Sequence, residues 1–297
     1  MGFYDRYFRA EVSRVDQLSP NLVRVVVGGA ALAGYSGSQY ADERLVVVFP
    51  YPGDPEPPAP VDAADGTQDY PDPASAPAMR SLTVRAWSPE RHEVVLDVVP
   101  HDGGVAGPWA KTVEPGHVVY LTDARGWYSP PADAAWQLLI ADLTGLPALG
   151  RIVEELPAGT LAYAIVEVID AADRQQLRSA ATLVDRWLVG SGHGRGPSRL
   201  LTALRDLDWP AGPGYIWFAG EAAESRAVRK YLRTERRWPR ERSTILGYWR
   251  VDQEAWLRRY AQIGPELEQI YTQAVAAGRP SDEALELYED ALEAAGL

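Results

Sequence analysis

The stretch Arg80-Ser81-Leu82-Thr83-Val84-Arg85 combines a β-strand pattern with three side chains that one strand can use to hold a flavin. Arg80 carries a guanidinium group that can bind a phosphate through two parallel hydrogen bonds. Leu82 faces the same way two positions later and can cover the flavin ring, where a stacking Tyr would be usual. The Thr83 hydroxyl can reach a ring nitrogen. Taken alone, the stretch is equally consistent with an ordinary amphipathic strand that carries two arginines.

Other short β patterns surround this strand in the first half of the chain. Runs rich in Val and Leu, separated by Gly, Pro and Asp, predict strands over 22–27, 44–49, 81–87, 94–99 and 118–122. Because no helical period lies between them, we expect an antiparallel β-barrel, a flavin domain, over residues 1–131. The segment 51–79 is dense in Pro, Asp and Ala, which predicts a long surface loop between two barrel strands.

The pattern changes to alternating strands and helices after residue 131. Buried strands are predicted over 138–141, 161–168, 215–219 and 244–247, and helices over 146–156, 175–188, 198–207 and 222–236. This alternation indicates a parallel sheet with crossover helices, a Rossmann-like domain of the NAD(P)-reductase type over 132–250. Residues 251–297 are predicted as a C-terminal helical extension of two helices, the second beginning at 280–283.

Composition limits the classes of function. The chain has 297 residues, a net charge of −12, no Cys and only four His. The absence of Cys excludes disulfides and thiolate metal sites, and the scattered histidines predict no metal site. The acidic charge argues against nucleic-acid binding. No apolar run suggests a signal core or a membrane span, so we expect a cytoplasmic protein without a membrane partner.

A second anion-binding pattern follows the flavin strand by about twenty residues. Small residues followed by Pro and a helix start expose backbone N–H groups toward an anion. The candidate ligand-binding residues of this turn are His101, Gly104, Val105, Ala106, Gly107, Trp109 and Ala110. Together with Arg80 they could hold a pyrophosphate. A plain turn before a short helix is the alternative.

These motifs resemble those of the siderophore-interacting proteins, flavin-dependent ferric-siderophore reductases of the ferredoxin-reductase superfamily. The family's R-x-Y-T-x-R is similar to 80–85, and its phosphate loop to 101–110. Further resemblances are G-D-E-T-A-L-P-A to 141–148, E-V-x-D-x-x-D to 167–173, W-x-A-G-E-A-A to 217–223 and G-Y-W-R to 247–250. The matches follow the order of the chain over about residues 5–250.

The resemblance implies that FAD is held in the barrel, with the second domain closing over the flavin. Within the second domain it implies cofactor contacts for Asp142, Thr144, Tyr248 and Trp249. Electrons would come from NADH, NADPH or a ferredoxin and pass to Fe(III) in a bound siderophore, whose iron the protein does not itself coordinate. The resemblance suggests Arg85, Arg125 and Arg250 as the basic patch for an anionic siderophore. For each of these, an ordinary surface Arg is the alternative.

Three positions depart from the family pattern: Leu82, Leu143 and Val251. All three make the site less polar, which would suit a member redeployed as a biosynthetic enzyme, such as a cyclase, with an altered or lost flavin role. A siderophore carrier is a third possibility. The sequence identifies neither the siderophore, the electron donor nor the oligomeric state. The glycine-rich segment 190–196 is interpreted as a flexible connection that follows a helix.

Overall fold

The computed structural model describes residues 6–63, 66–70, 72, 75–100, 104–251, 253–279, 284, 287, 288, 291, 292, 294 and 295. They divide into two compact units, Met1–Arg250 and Val251–Leu297. The first unit contains an antiparallel barrel followed by a parallel sheet with helices, as the sequence predicts, and the second is helical. The predicted fold class is therefore confirmed.

The barrel closes through six antiparallel strands in the order β1-β2-β7-β6-β3-β8. These strands are β1 Tyr7–Ser19, β2 Leu22–Gly28, β3 Arg44–Val48, β6 Met79–Ser88, β7 Glu93–Val98 and β8 Val118–Thr122. Inward-facing Val, Leu and Phe side chains fill the interior. The predicted loop between β3 and β6 carries a small antiparallel pair, β4 Val61–Asp62 and β5 Gln68–Asp69.

Strand β1 has no counterpart among the predicted strands, although its buried and exposed residues alternate as in an ordinary β-strand. Phe8, Ala10 and Val12 are buried, while Arg9 and Glu11 between them are exposed. The charged outward positions break up the apolar run on which the other strand predictions depended. Pairing of β1 with both β2 and β8 closes the barrel.

The second half forms a five-stranded parallel sheet in the order β11-β10-β9-β12-β13. The strands are β9 Trp136–Ala141, β10 Leu161–Val168, β11 Thr182–Val189, β12 Gly214–Glu221 and β13 Ser243–Trp249. Every residue of the central strand β9 is buried. Helix α2, Leu146–Glu155, packs on one face, and α3, Leu200–Arg205, and α4, Ala222–Thr234, pack on the other.

The helix predicted over 175–188 is wrong, because the second half of this segment forms the edge strand β11. The strand pairs with β10 along its whole length, from Leu161 opposite Thr182 to Val168 opposite Val189. Leu183, Trp187 and Val189 pack on one apolar core, as the strand period of two requires. The glycine-rich segment 190–196 therefore follows a strand and not a helix.

The C-terminal unit contains one long helix, α5 Gln253–Ala276. Trp256 stacks on Tyr260 with 4.7 Å between ring centroids, and the Tyr260 hydroxyl is 2.6 Å from Glu268. The predicted start of the second helix, 280–283, lies outside the described residues. Among the described residues, no helix is long and apolar enough to span a bilayer.

Candidate functional site

Asp142 lies directly after β9, at the carboxyl edge of the parallel sheet, and is only 3% exposed. Its Oδ1 atom accepts hydrogen bonds from the Thr144 amide at 2.8 Å and from the Thr144 hydroxyl at 2.6 Å. Its Oδ2 atom accepts one from Trp249 Nε1 at 2.5 Å. These bonds satisfy a carboxylate that would otherwise be costly to bury. The buried Asp142 carboxylate thus binds two other predicted cofactor residues, Thr144 and Trp249.

The glycine-rich segment reaches the same edge of the sheet. The His193 ring lies 4.6 Å from the Trp249 ring between centroids. Gly192 has a φ of +70°, and a Cβ atom there would lie 2.1 Å from Glu167 Oε2, so no larger residue fits. Buried Glu167 accepts hydrogen bonds from the Ser191 hydroxyl and the Arg199 amide, each at 2.7 Å. The segment is therefore anchored against Trp249 at the end of β13.

Tyr248 connects this edge to the barrel. The Arg44 guanidinium carbon lies 4.0 Å from the centroid of the Tyr248 ring, and the buried Tyr248 hydroxyl lies beside Thr83. Arg44 and Thr83 are paired directly across β3 and β6. Burial raises the pKa of Tyr248 above its ordinary value, and the positive charge of Arg44 opposes that rise. The hydroxyl is therefore protonated at neutral pH.

The predicted flavin strand is β6. Its successive side chains point alternately to opposite faces of the strand. Leu82 is partly buried against the barrel core, where Val105 and Ala106 pack as well. We call these three residues the apolar shelf. Arg80 is half-buried, and its Nη1 atom donates to the Met79 carbonyl at 2.8 Å. Thr83 faces the opposite side of β6 and is 4% exposed, beside Tyr248.

The predicted phosphate turn leads into a short helix, α1 Ala106–Thr112. Gly104, before this helix, has a φ of +73°, which favours glycine. Gly107, Trp109 and Ala110 are buried, and the Trp109 ring packs 5.1 Å from the Phe49 ring inside the barrel. The side chains of Trp109 and Ala110 thus belong to the core, and a ligand at this turn would meet the backbone. His101 lies outside the described residues.

The three arginines suggested as a basic patch lie in different surroundings. Arg85 donates to Glu154 on α2 at 2.8 and 2.6 Å, and its Nε atom lies 4.0 Å from buried Asp97. These bonds join the barrel to α2, which favours a structural role for Arg85. Arg125 is exposed, and its backbone pairs with that of Arg44 beside Tyr248. Arg250 is half-buried and directly follows Trp249.

The side chains present fit a flavin nucleotide. The apolar shelf offers a surface for a ring system, Arg80 offers a cation for phosphate, and Thr83 offers a hydroxyl. The left-handed turn at Gly104 adjoins that shelf. Among the described residues, no group of three or more carboxylate or imidazole side chains is placed to hold a metal ion.

Comparisons with known proteins agree with this arrangement. The siderophore-interacting FAD-binding domain matches residues 11–128, and the siderophore-interacting protein domain matches residues 134–252. An uncharacterized protein of Mycobacterium tuberculosis is 32% identical over 257 residues, which cover 81% of this chain and 89% of that protein. The chain belongs to the siderophore-interacting protein family, whose members share a ferredoxin-reductase-like fold.

Two further relatives bear on the chemistry. The NADPH-dependent ferric-chelate reductase of Escherichia coli is 29% identical over 247 residues, covering 82% of this chain and 93% of that enzyme. The crystal structure of a siderophore utilization protein from T. fusca has a TM-score of 0.74 and 31% identity, covering 83% of this chain and 94% of that one. The family is thus one of flavin-linked oxidoreductases.

Sequence reasoning missed two residues of this edge, Arg44 and His193. Arg44 begins a strand, where a charged residue is unremarkable, and only the pairing with β6 places it beside Thr83. His193 lies among glycines with positive φ angles, and this local conformation places its ring against Trp249 of β13. A basic residue at a predicted strand start was the only signal in the sequence for Arg44.

Proposed function

We propose that this protein is an FAD-dependent ferric-siderophore reductase. The observation that supports it most is the meeting of Thr83, from the predicted flavin strand, with Tyr248 at the carboxyl edge of the sheet, where Asp142 holds the adjacent Trp249. Ligands of open α/β sheets bind at this edge. Because two different domains supply these residues, a flavin beside Thr83 would be enclosed between them.

Each candidate residue has a distinct part in this proposal. Arg80, with backbone N–H groups of 104–107, would bind the pyrophosphate of FAD. The apolar shelf would cover apolar parts of the cofactor, and the Thr83 hydroxyl would bond to a ring nitrogen. Asp142 would act through Trp249 by holding its indole in place. When bound, FAD supplies the means to accept a hydride and to deliver single electrons.

The substrate would be an Fe(III) siderophore, and NADPH is the donor that the E. coli relative suggests. Arg250, which directly follows Trp249, and Arg125, whose backbone pairs with that of Arg44, would attract an anionic chelate. One electron per iron converts Fe(III) to Fe(II), which hard oxygen ligands hold less firmly. The iron would then leave the siderophore without binding to the protein.

The direct test is the absorption spectrum of the purified protein after incubation with FAD, followed by NADPH and a ferric siderophore. We expect stoichiometric visible flavin bands and formation of Fe(II), trapped by a ferrous chelator. Arg80→Gln should weaken FAD binding at least tenfold, since a bidentate charge-assisted contact is lost, equivalent to about 1.5–3 kcal/mol.

Arg14→Gln is the matched control, because Arg14 is exposed and forms a surface ion pair with the nearby Asp16. It should leave FAD binding unchanged. A wild-type protein that cannot be loaded with FAD would refute the proposal. Loading with FAD but no Fe(II) formation with NADPH, NADH or a reduced ferredoxin would refute the reductase function while retaining the cofactor.

A further inference from the structure

A cavity of about 750 Å³ lies at the amino edge of the parallel sheet. Its floor is formed by buried residues from both domains, Ala41, Gln137, Ile152 and Leu156. Gln137 stands near the start of β9, whereas Asp142 follows its end. Five residues of extended strand separate them by about 16 Å. The cavity is therefore separate from the proposed flavin cleft at the opposite edge.

The walls of the cavity combine rigid apolar residues with polar groups. Tyr128, Pro130 and Pro131, from the segment that connects the barrel to the sheet, form one side. The Tyr128 ring is held edge-on to Tyr215, with 5.7 Å between ring centroids. Burial raises the pKa of Tyr128, so its hydroxyl is neutral and donates to Gln137 Oε1. Rigid rings and prolines of this kind suit a flat ligand.

One polar atom on the floor is left for a ligand. Gln137 is 7% exposed, and its Oε1 atom already accepts the Tyr128 hydroxyl. Its Nε2 atom has no hydrogen-bond partner within the described part of the chain. This atom is not fully enclosed by protein, so an acceptor of a ligand in the cavity can reach it and form a hydrogen bond. The floor therefore selects a carbonyl oxygen or a ring nitrogen.

The charge of the lining excludes anions. Of the residues that the structure describes, no Lys or Arg lines the cavity. The carboxylate of Glu155 lies at its rim and is bound to Arg151 Nε at 2.7 Å. A carboxylate or phosphate ligand would lose hydration there without gaining a cation. The cavity thus differs in chemistry from a site for an anionic siderophore or a nucleotide.

We propose that this cavity is a second small-molecule site, which binds an uncharged planar ring compound that carries a hydrogen-bond acceptor. The acceptor bonds to Gln137 Nε2, and the ring lies between Tyr128 and the prolines. Because the barrel contributes Ala41 and the sheet domain contributes Gln137 and Ile152, the ligand contacts both domains at once. The proposal does not depend on the reductase function.

The test uses 2-naphthamide as the probe and 2-naphthoate as its charged analogue, each titrated into the full-length protein by ligand-observed NMR. The amide should bind at least about fivefold more tightly than the carboxylate, because the carboxylate loses hydration in the cavity without gaining a cation. Saturating FAD should leave this binding unchanged. Absence of binding, preference for naphthoate or competition with FAD would each overturn the proposal.

Two variants locate the probe. Ala158→Trp places a large ring at the exposed rim and should abolish naphthamide binding, whereas Ala31→Trp, at an exposed barrel position outside the lining, should not. Gln137→Glu keeps an acceptor for Tyr128 but replaces the amide donor with a carboxylate that repels the carbonyl oxygen of the probe, so naphthamide should bind severalfold more weakly. If Gln137→Glu does not fold, the comparison of Ala158→Trp with Ala31→Trp still tests the location of the site. Equal binding by Ala158→Trp and Ala31→Trp would refute the site.

Discussion

Arg44 on β3 lies over the ring of Tyr248 on β13, with 4.0 Å between its guanidinium carbon and the ring centroid. This cation–π contact joins the barrel to the last strand of the parallel sheet. It also fixes the Tyr248 hydroxyl beside Thr83, the residue through which the predicted flavin strand meets the second domain. The position of Tyr248 therefore depends on a barrel residue that is distant in sequence.

Arg44→Met should lower the free energy of unfolding by about 0.5–2 kcal/mol, because it keeps a long apolar stem but removes the charge over the ring. Urea denaturation measures the change. Tyr248→Phe is the matched control, since it retains a ring for Arg44. Tyr248→Leu removes the ring, and Arg44→Met should then have little further effect. Equal losses for Arg44→Met in the wild type and in Tyr248→Leu would contradict the contact.

Asp142→Asn should weaken FAD binding and lower stability by about 1–3 kcal/mol. Asn retains one oxygen for Thr144, but its NH₂ group then faces the N–H of Trp249, which cannot accept a hydrogen bond. Fluorescence titration with FAD and thermal unfolding measure the two effects.

The chain offers a matched control for this pair on its exposed edge strand. Asp185 Oδ2 accepts from Trp187 Nε1 at 2.5 Å, and this bond is exposed. Asp185→Asn should change stability by less than about 0.5 kcal/mol and leave FAD binding intact. If Asp142→Asn behaves like Asp185→Asn, Asp142 does not position Trp249.

Much of the fold could be predicted from local patterns, and the failures have physical causes. Apolar runs identified five barrel strands and four sheet strands, because buried strands need continuous or alternating apolar residues. Residues 175–188 were misassigned because an edge strand is buried on one side only. Leu183 and Trp187 then have a spacing that fits one helical turn as well as one face of a strand.

The candidate site was predictable only in part. Asp142, Tyr248 and Trp249 were found through motif resemblance, and the structure brings them to one edge with Thr83. Arg85 also belongs to a motif, but its ion pair with Glu154 depends on the packing of α2 against β6, which no local pattern encodes. The amino-edge cavity could not be predicted from local patterns either, because its lining comes from separate parts of the chain.

Leu82→Tyr should increase the quenching of bound flavin fluorescence and slow FAD release. Tyr offers the stacking ring that Leu82 lacks, at a position on the apolar shelf that is only partly buried. Leu82→Ala removes part of the shelf and should weaken FAD binding severalfold. Stopped-flow release of FAD compares the three proteins. Unchanged release from Leu82→Ala would exclude Leu82 from the cofactor surface.

Arg85→Gln should lower stability by about 1 kcal/mol and leave the KM for a ferric siderophore unchanged, because its partners are Glu154 and Asp97. Arg125→Gln should raise the KM for a ferric siderophore and leave stability unchanged, because its side chain is exposed beside the proposed substrate entrance. Steady-state kinetics and urea denaturation of both variants provide the comparison. A raised KM for Arg85→Gln without loss of stability would indicate that Arg85 contacts the substrate and has no structural role.

Alkaline pH should destabilise the first unit through its buried tyrosines. Burial raises the pKa values of Tyr35, Tyr128 and Tyr248 above the ordinary value of 10.0. The folded state therefore holds these protons more tightly than the unfolded state does. The contribution to stability is fully present below pH 10 and is lost as pH rises toward the folded pKa values, at up to about 1.4 kcal/mol per pH unit for each group.

The ultraviolet absorbance of tyrosinate, followed together with circular dichroism, measures this titration. Tyr248→Phe should make the fall of stability above pH 10 shallower, because one proton fewer is released on unfolding. If all tyrosines ionised near pH 10 while the circular dichroism remained native, Tyr248 would be accessible to solvent and its contact with Thr83 would be excluded.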